Sequence, residues 1–67
     1  MEIEVSYGRT DIGVFDNHTD AVNAASDYAF KQEIHHKFNW QEIRRRIGFV
    51  SENSSFSMDG WYFRAAK

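Results

Sequence analysis

Near its C-terminal end the chain reads Phe56-Ser57-Met58-Asp59-Gly60-Trp61-Tyr62-Phe63, and this octet constrains the fold more than any other stretch. Asp-Gly between alternating apolar residues is the favoured loop of a two-residue hairpin, because both central positions of a type I′ turn require positive φ. With that turn, Met58 pairs with Trp61, Ser57 with Tyr62 and Phe56 with Phe63. Side chains alternate across a strand, so Phe56, Met58, Trp61 and Phe63 share one face, predicted to be core. Ser55, Ser57, Tyr62 and Arg64 share the other, predicted to be wet. The polar run Ser51–Ser55 reads as a loop leading into the hairpin.

A second hairpin is expected at the other end, over residues 2–15. Ile3, Val5 and Tyr7 alternate with Glu2, Glu4 and Ser6, the period of a half-buried strand. Gly8-Arg9-Thr10-Asp11 reads as a turn, and Ile12 and Val14 resume the alternation.

Helices fill the middle. Asp16-Asn17-His18-Thr19-Asp20 supplies N-cap candidates and acids suited to the positive end of a helix dipole. A helix then runs to about Phe38. At 100° per residue Ala21, Val22, Ala25, Tyr28 and Ala29 fall in one arc, while Phe30, Ile34 and Phe38 form a stripe nearly opposite. Two apolar faces mean either a helix held between two layers or one that breaks near residue 30. Asn39 followed by Glu42 has the N-cap to N3 spacing of a capping box. A second helix is therefore expected over Asn39–Ile47, with Trp40, Ile43 and Ile47 on one face to cover Phe30, Ile34 and Phe38. Gly48 stands where a left-handed residue ends many helices.

The expected fold class is α+β: one domain over residues 1–67, element order ββααββ, an antiparallel sheet with two helices packed on one face. The rival is a helical unit carrying the last hairpin as a wing. Sixty-seven residues leave no room for a second domain, and so short a chain buries a modest fraction of its surface. Cysteine is absent, which excludes disulfides and thiolate metal sites, while six Phe, three Tyr and two Trp supply apolar area instead. These rings either staple the core or form, in part, an exposed interface.

Absence of cysteine, of a signal-like apolar run and of a membrane-length apolar run points to a cytoplasmic chain with no membrane role. Met1 reads as the start of a complete polypeptide. The glycosylation-type patterns Asn17-His18-Thr19 and Asn53-Ser54-Ser55 read as chance without a secretion signal.

No catalytic, cofactor-binding or metal-binding residues are expected. His35 and His36 are neighbours that diverge on a helix, and His18 lies far along the chain, so the three lack metal-ligand spacing. No serine sits in a nucleophile elbow, and Gly8, Gly13, Gly48 and Gly60 are separate turn or cap positions rather than a phosphate loop. Charge is uneven: residues 1–30 hold six acids against Arg9, whereas residues 31–67 hold seven bases against four acids. Arg44-Arg45-Arg46, preceded by Lys31, His35, His36 and Lys37, is the feature most suggestive of a partner.

The candidate contact residues are thus Arg44, Arg45, Arg46, Tyr62 and Arg64, since arginine and aromatic rings anchor interfaces. The expected function is a small protein-binding regulator, of the inhibitor or adaptor kind often encoded by phages and mobile elements, with a homodimer among its possible assemblies. The alternative is a nucleic-acid-binding domain using the arginine helix and the last hairpin. The net charge of −2 argues against that alternative.

Overall fold

In the computed structural model, which describes residues 1–51 and 54–66, the Asp59-Gly60 turn takes its expected form, with φ of 54° and 94° at its two central residues. Strand β3 (Ser55–Met58) pairs with β4 (Trp61–Ala65) in the register the turn dictates, Met58 opposite Trp61 and Phe56 opposite Phe63. Gly60 is required twice over. Its φ is one that side-chain-bearing residues rarely adopt, and a Cβ there would lie 3.1 Å from Cε1 of Tyr7.

β1 (Ile3–Tyr7) and β2 (Thr10–Phe15) form the second hairpin through a tighter loop than the sequence suggests, Gly8-Arg9, with Gly8 at φ 58°. β1 also pairs antiparallel with β4, giving one four-stranded sheet in the order β2-β1-β4-β3. The last hairpin is therefore half of the sheet and not a wing. The fold is α+β, with element order ββααββ.

The expectation that Ile12 and Val14 share a face is corrected. The register shifts between Val5, opposite Gly13, and Ser6, opposite Asp11, so Ile12 is the extra residue of a bulge. The bulge lets both Ile12 and Phe15 pack against the core while Val14, opposite Glu4, stays 52% exposed on the outer face.

Helix α1 (His18–Lys31) starts at Asn17, whose side-chain oxygen accepts from the Asp20 N–H at 2.8 Å. Ala21, Val22, Ala25 and Ala29 are buried, and their small side chains let the helix lie close over β1 and β2. The helix stops seven residues short of Phe38. Glu33 has φ 59°, its N–H donates to Phe30 O at 3.0 Å, and the Ile34 N–H donates to Ala29 O at 2.9 Å. Those two bonds around a left-handed residue form a Schellman cap. Continuing the helix would have held Ile34 and Phe38 on the side away from the sheet. Breaking it, with a 3₁₀ turn at His35–Lys37, brings both back against the core and leaves only Phe30 outside, 63% exposed.

Helix α2 (Trp40–Ile47) shows half of the expected capping box: the Asn39 side chain accepts from the Glu42 N–H at 3.1 Å, while the Glu42 carboxylate turns to Arg45 and Arg46. Ile43 and Ile47 are buried and Trp40 is half-buried. Gly48 is not left-handed; its φ is −61°. The chain leaves α2 through N–H bonds from Phe49 to Arg46 O and from Val50 to Ile47 O, each 3.0 Å, a tightened exit that puts the Val50 side chain into the core. Nε2 of His18 donates to the Val50 carbonyl at 2.7 Å, tying the start of α1 to the end of α2.

Both helices cover one face of the sheet. Between the layers lie Ile3, Val5, Val22, Ile43, Trp61 and Phe63, all buried. Trp61 is ringed by Tyr7 at 4.6 Å, Trp40 at 5.6 Å, Phe38 at 5.7 Å and Tyr28 at 6.2 Å, measured between ring centroids. The Asn53-Ser54-Ser55 pattern begins outside the described residues.

Glycine at position 33 would adopt the left-handed geometry without a Cβ penalty. Glu33→Gly is expected to stabilise the fold by about 1 kcal/mol, raising the melting midpoint by roughly 4–8 °C for a chain of this size. A lower midpoint in that variant would contradict the cap geometry.

Candidate interaction surface

Five residues were singled out from the sequence as a contact surface, and the fold divides them between two sides of the molecule. Tyr62 and Arg64 alternate along β4 with buried Trp61 and Phe63, so they project from the sheet face that carries no helix. Arg44, Arg45 and Arg46 are exposed on α2, which packs on the opposite face through Ile43 and Ile47. A single arginine and aromatic patch joining the two sets is not formed.

On the helix side, one acid engages two of the arginines. Glu42 accepts from Arg45 at 2.6 Å and from Arg46 Nε, the i,i+3 and i,i+4 positions of the helix. The side-chain bond from Arg45, with that from Arg46 second, holds the Glu42 carboxyl below its ordinary pKa, and the same bond raises the Arg45 guanidinium. Arg44 instead lines an open, shallow depression with His18, Thr19, Val22, Ile47 and Gly48. Arg45 and Arg46 thus converge on one carboxylate, while Arg44 is turned toward the depression beside His18.

At the other end of the helical layer the rings of Phe30, His35 and Trp40 stack nearly parallel, with centroid separations of 3.9 and 5.1 Å. Trp40 Nε1 donates to the His35 carbonyl at 2.9 Å, which locks the turn between the helices. His35 Nε2 lies 3.0 Å from Ser26 Oγ. Serine beside histidine is a pairing used in nucleophilic catalysis. Here, among the described residues, no carboxylate bonds the second ring nitrogen, and Ser26 lies mid-helix. Among the described residues no three His, Asp or Glu side chains cluster so as to hold a metal ion. No helix among them is long and apolar enough to cross a membrane.

The sheet side is more coherent. The pairings set Val14, Glu4, Arg64 and Ser55 in one row and Asp11, Ser6, Tyr62 and Ser57 in the next. Arg64 donates to Glu4 at 2.5 Å directly across the strands. Tyr62, 38% exposed, stands between Ser6 and Ser57, small neighbours that leave its ring open to contact. Among the described residues no helix covers this face. With strands about 4.8 Å apart and about 3.3 Å of rise per residue, it offers on the order of 300 Å².

Sequence reasoning assigned Ser55, Ser57, Tyr62 and Arg64 to the wet side of the hairpin, but did not place Val14, Glu4 and Ser6 beside them. That neighbourhood depends on β1 pairing with β4, some sixty residues away, a contact no local pattern encodes. Exposed Phe49, just past α2, was also missed, since it reads as one more apolar residue of an apolar segment.

No protein-family model matches this chain, and no curated protein or solved structure matches it.

The Glu42 clamp has a pH signature. A carboxyl whose pKa is lowered on folding stabilises the fold above its unfolded pKa and loses that contribution as pH falls through the folded value. Glu42→Gln is therefore expected to lower the melting midpoint slightly at neutral pH. The gap should close as wild type is titrated below the ordinary carboxylate range. A gap independent of pH would show that the two arginine contacts contribute nothing.

Proposed function

We propose that this chain is a non-enzymatic protein-binding domain, a small regulator of the inhibitor or adaptor kind, whose contact surface is the uncovered sheet face. The observation that carries this reading is the open face itself, with Tyr62 at its middle and the Arg64–Glu4 pair beside it. Tyrosine and arginine are the side chains that most often supply interface energy, since each combines a large contact area with polar specificity. Small serines around Tyr62 let a partner approach the backbone closely. An exposed cross-strand ion pair contributes little to stability but presents both signs of charge to a partner.

Nucleic-acid binding by the arginine helix fits less well. Two of its three guanidiniums are engaged by Glu42, and Tyr62 and Arg64, which would supply stacking and further phosphate contacts, lie on the other side of the sheet.

The test is capture of partners from the native host with nuclease treatment, followed by affinity measurements on the captured protein. Wild type, Tyr62→Ala and an Arg44/Arg45/Arg46→Ala triple variant are compared. The expected result is a nuclease-resistant protein partner whose affinity falls by at least tenfold, about 1.4 kcal/mol, in Tyr62→Ala and changes little in the triple variant. Loss of every partner after nuclease would overturn the proposal. So would oligonucleotide binding at physiological salt that is steeply salt-dependent and abolished in the triple variant.

A further inference from the structure

The two edges of the sheet differ. β2 carries the Ile12 bulge and has Asp11 within it and Arg9 and Asp16 at its ends, features that discourage another strand from pairing there. β3 has no bulge, no proline and no charged residue.

The parity of the ladder says which β3 groups face outward. A two-residue loop makes Met58 and Trp61 a hydrogen-bonded pair, and bonding pairs then alternate. Phe56–Phe63 is the next such pair and Ser54–Ala65 the one after, consistent with the Ala65 N–H donating to Ser54 O at 3.4 Å. The backbone N–H and C=O groups of Ser55 and Ser57 therefore point away from β4. Among the described residues no backbone group bonds them, and both residues are exposed.

We propose that this edge pairs with the β3 edge of a second copy of the chain, antiparallel about a two-fold axis at Phe56, to give one eight-stranded sheet. The occupant is specified by the strand's own order: Ser55-Phe56-Ser57 reads the same in both directions. Antiparallel self-pairing at this register sets Ser55 opposite Ser57 of the second copy, and the reverse, so all four outward N–H and C=O groups of each strand find partners. No charge opposes a like charge. On the core side Phe56 meets its own copy as a close, non-hydrogen-bonded pair. Phe56 already stacks on Phe63, 5.8 Å between centroids and 11° between planes, so self-pairing extends that stack from two rings to four. A four-residue edge is less than the roughly 800 Å² per partner of a standard interface. The dimer is accordingly weak and concentration-dependent. It uses the strand edge, whereas the partner surface proposed above uses the face, so one can fail without the other.

Sedimentation equilibrium from about 10 μM to about 1 mM, the affinity range expected of a sub-standard interface, tests it on the full chain. Wild type is compared with a Ser55→Lys/Ser57→Lys variant, a Ser55→Glu/Ser57→Glu variant and their equimolar mixture, each checked for its fold by circular dichroism. The substituted positions are exposed, so the β3–β4 ladder is left intact. The mass of wild type should rise toward twice the monomer, each charged variant should stay monomeric, and the mixture should associate at least as well as wild type. A wild type that is monomeric throughout would overturn the proposal while leaving the partner reading standing. Lysine variants that dimerise like wild type, or a mixture that stays monomeric, would overturn the edge and register assigned here.

Discussion

Everything in this small molecule converges on the ring of Trp61. The indole sits on a central strand and touches Tyr7 from β1, Tyr28 from α1, Phe38 from the connection between helices and Trp40 from α2. Without disulfide or proline to restrict the unfolded chain, the layers are held together by packing. Burying about 200 Å² of aromatic surface at about 25 cal/mol per Å² is worth about 5 kcal/mol. The Trp61 N–H has no acceptor among the described residues, a cost of about 1–3 kcal/mol. Burial outweighs that cost, which is why an aromatic core can tolerate an unpaired donor at its centre. Four rings pack around the indole at tilted or edge-on angles, the arrangements aromatic quadrupoles favour.

The hairpins and α2 are legible in the sequence because each is specified by residues within a few positions of one another. Asp59-Gly60 sets a turn type and with it a register. Asn39 and Glu42 set a helix start. Of the two readings that the opposed apolar faces allowed, the break near residue 30 holds, since α1 ends at Lys31. The run to Phe38 does not, and its stop is hard to see because the left-handed cap position is occupied by Glu33, whereas Gly48, which looks like such a cap, is right-handed. In both cases the core decided. Ile34 and Phe38 had to turn inward after α1, and Val50 had to turn inward after α2. The Ile12 bulge is another non-local outcome, in which an apolar residue and Phe15 are both turned toward the core at the expense of strict alternation.

Charge behaves in the same way. Arg44-Arg45-Arg46 stands out along the chain, yet Glu42 draws two of the side chains to one carboxylate and Arg44 is turned away toward His18. The sheet face draws less notice in the sequence because its members are scattered over β1, β2, β3 and β4 as single serines, a valine and a tyrosine. Folding collects them into a broad surface over which, among the described residues, no second layer lies. The half of the candidate site on β4 was therefore visible from the hairpin alone, and the half from β1 and β2 became visible only with the sheet order.

The central claim, that one indole joins the sheet to both helices, is tested most directly by urea denaturation of Trp61→Ala beside wild type. Removing a fully packed tryptophan is expected to cost about 3–5 kcal/mol. A domain of this length has only about 3–10 kcal/mol in total, so the variant should lose most of its cooperative transition. A variant with a denaturation midpoint close to that of wild type would show that the layers are held together by something other than Trp61.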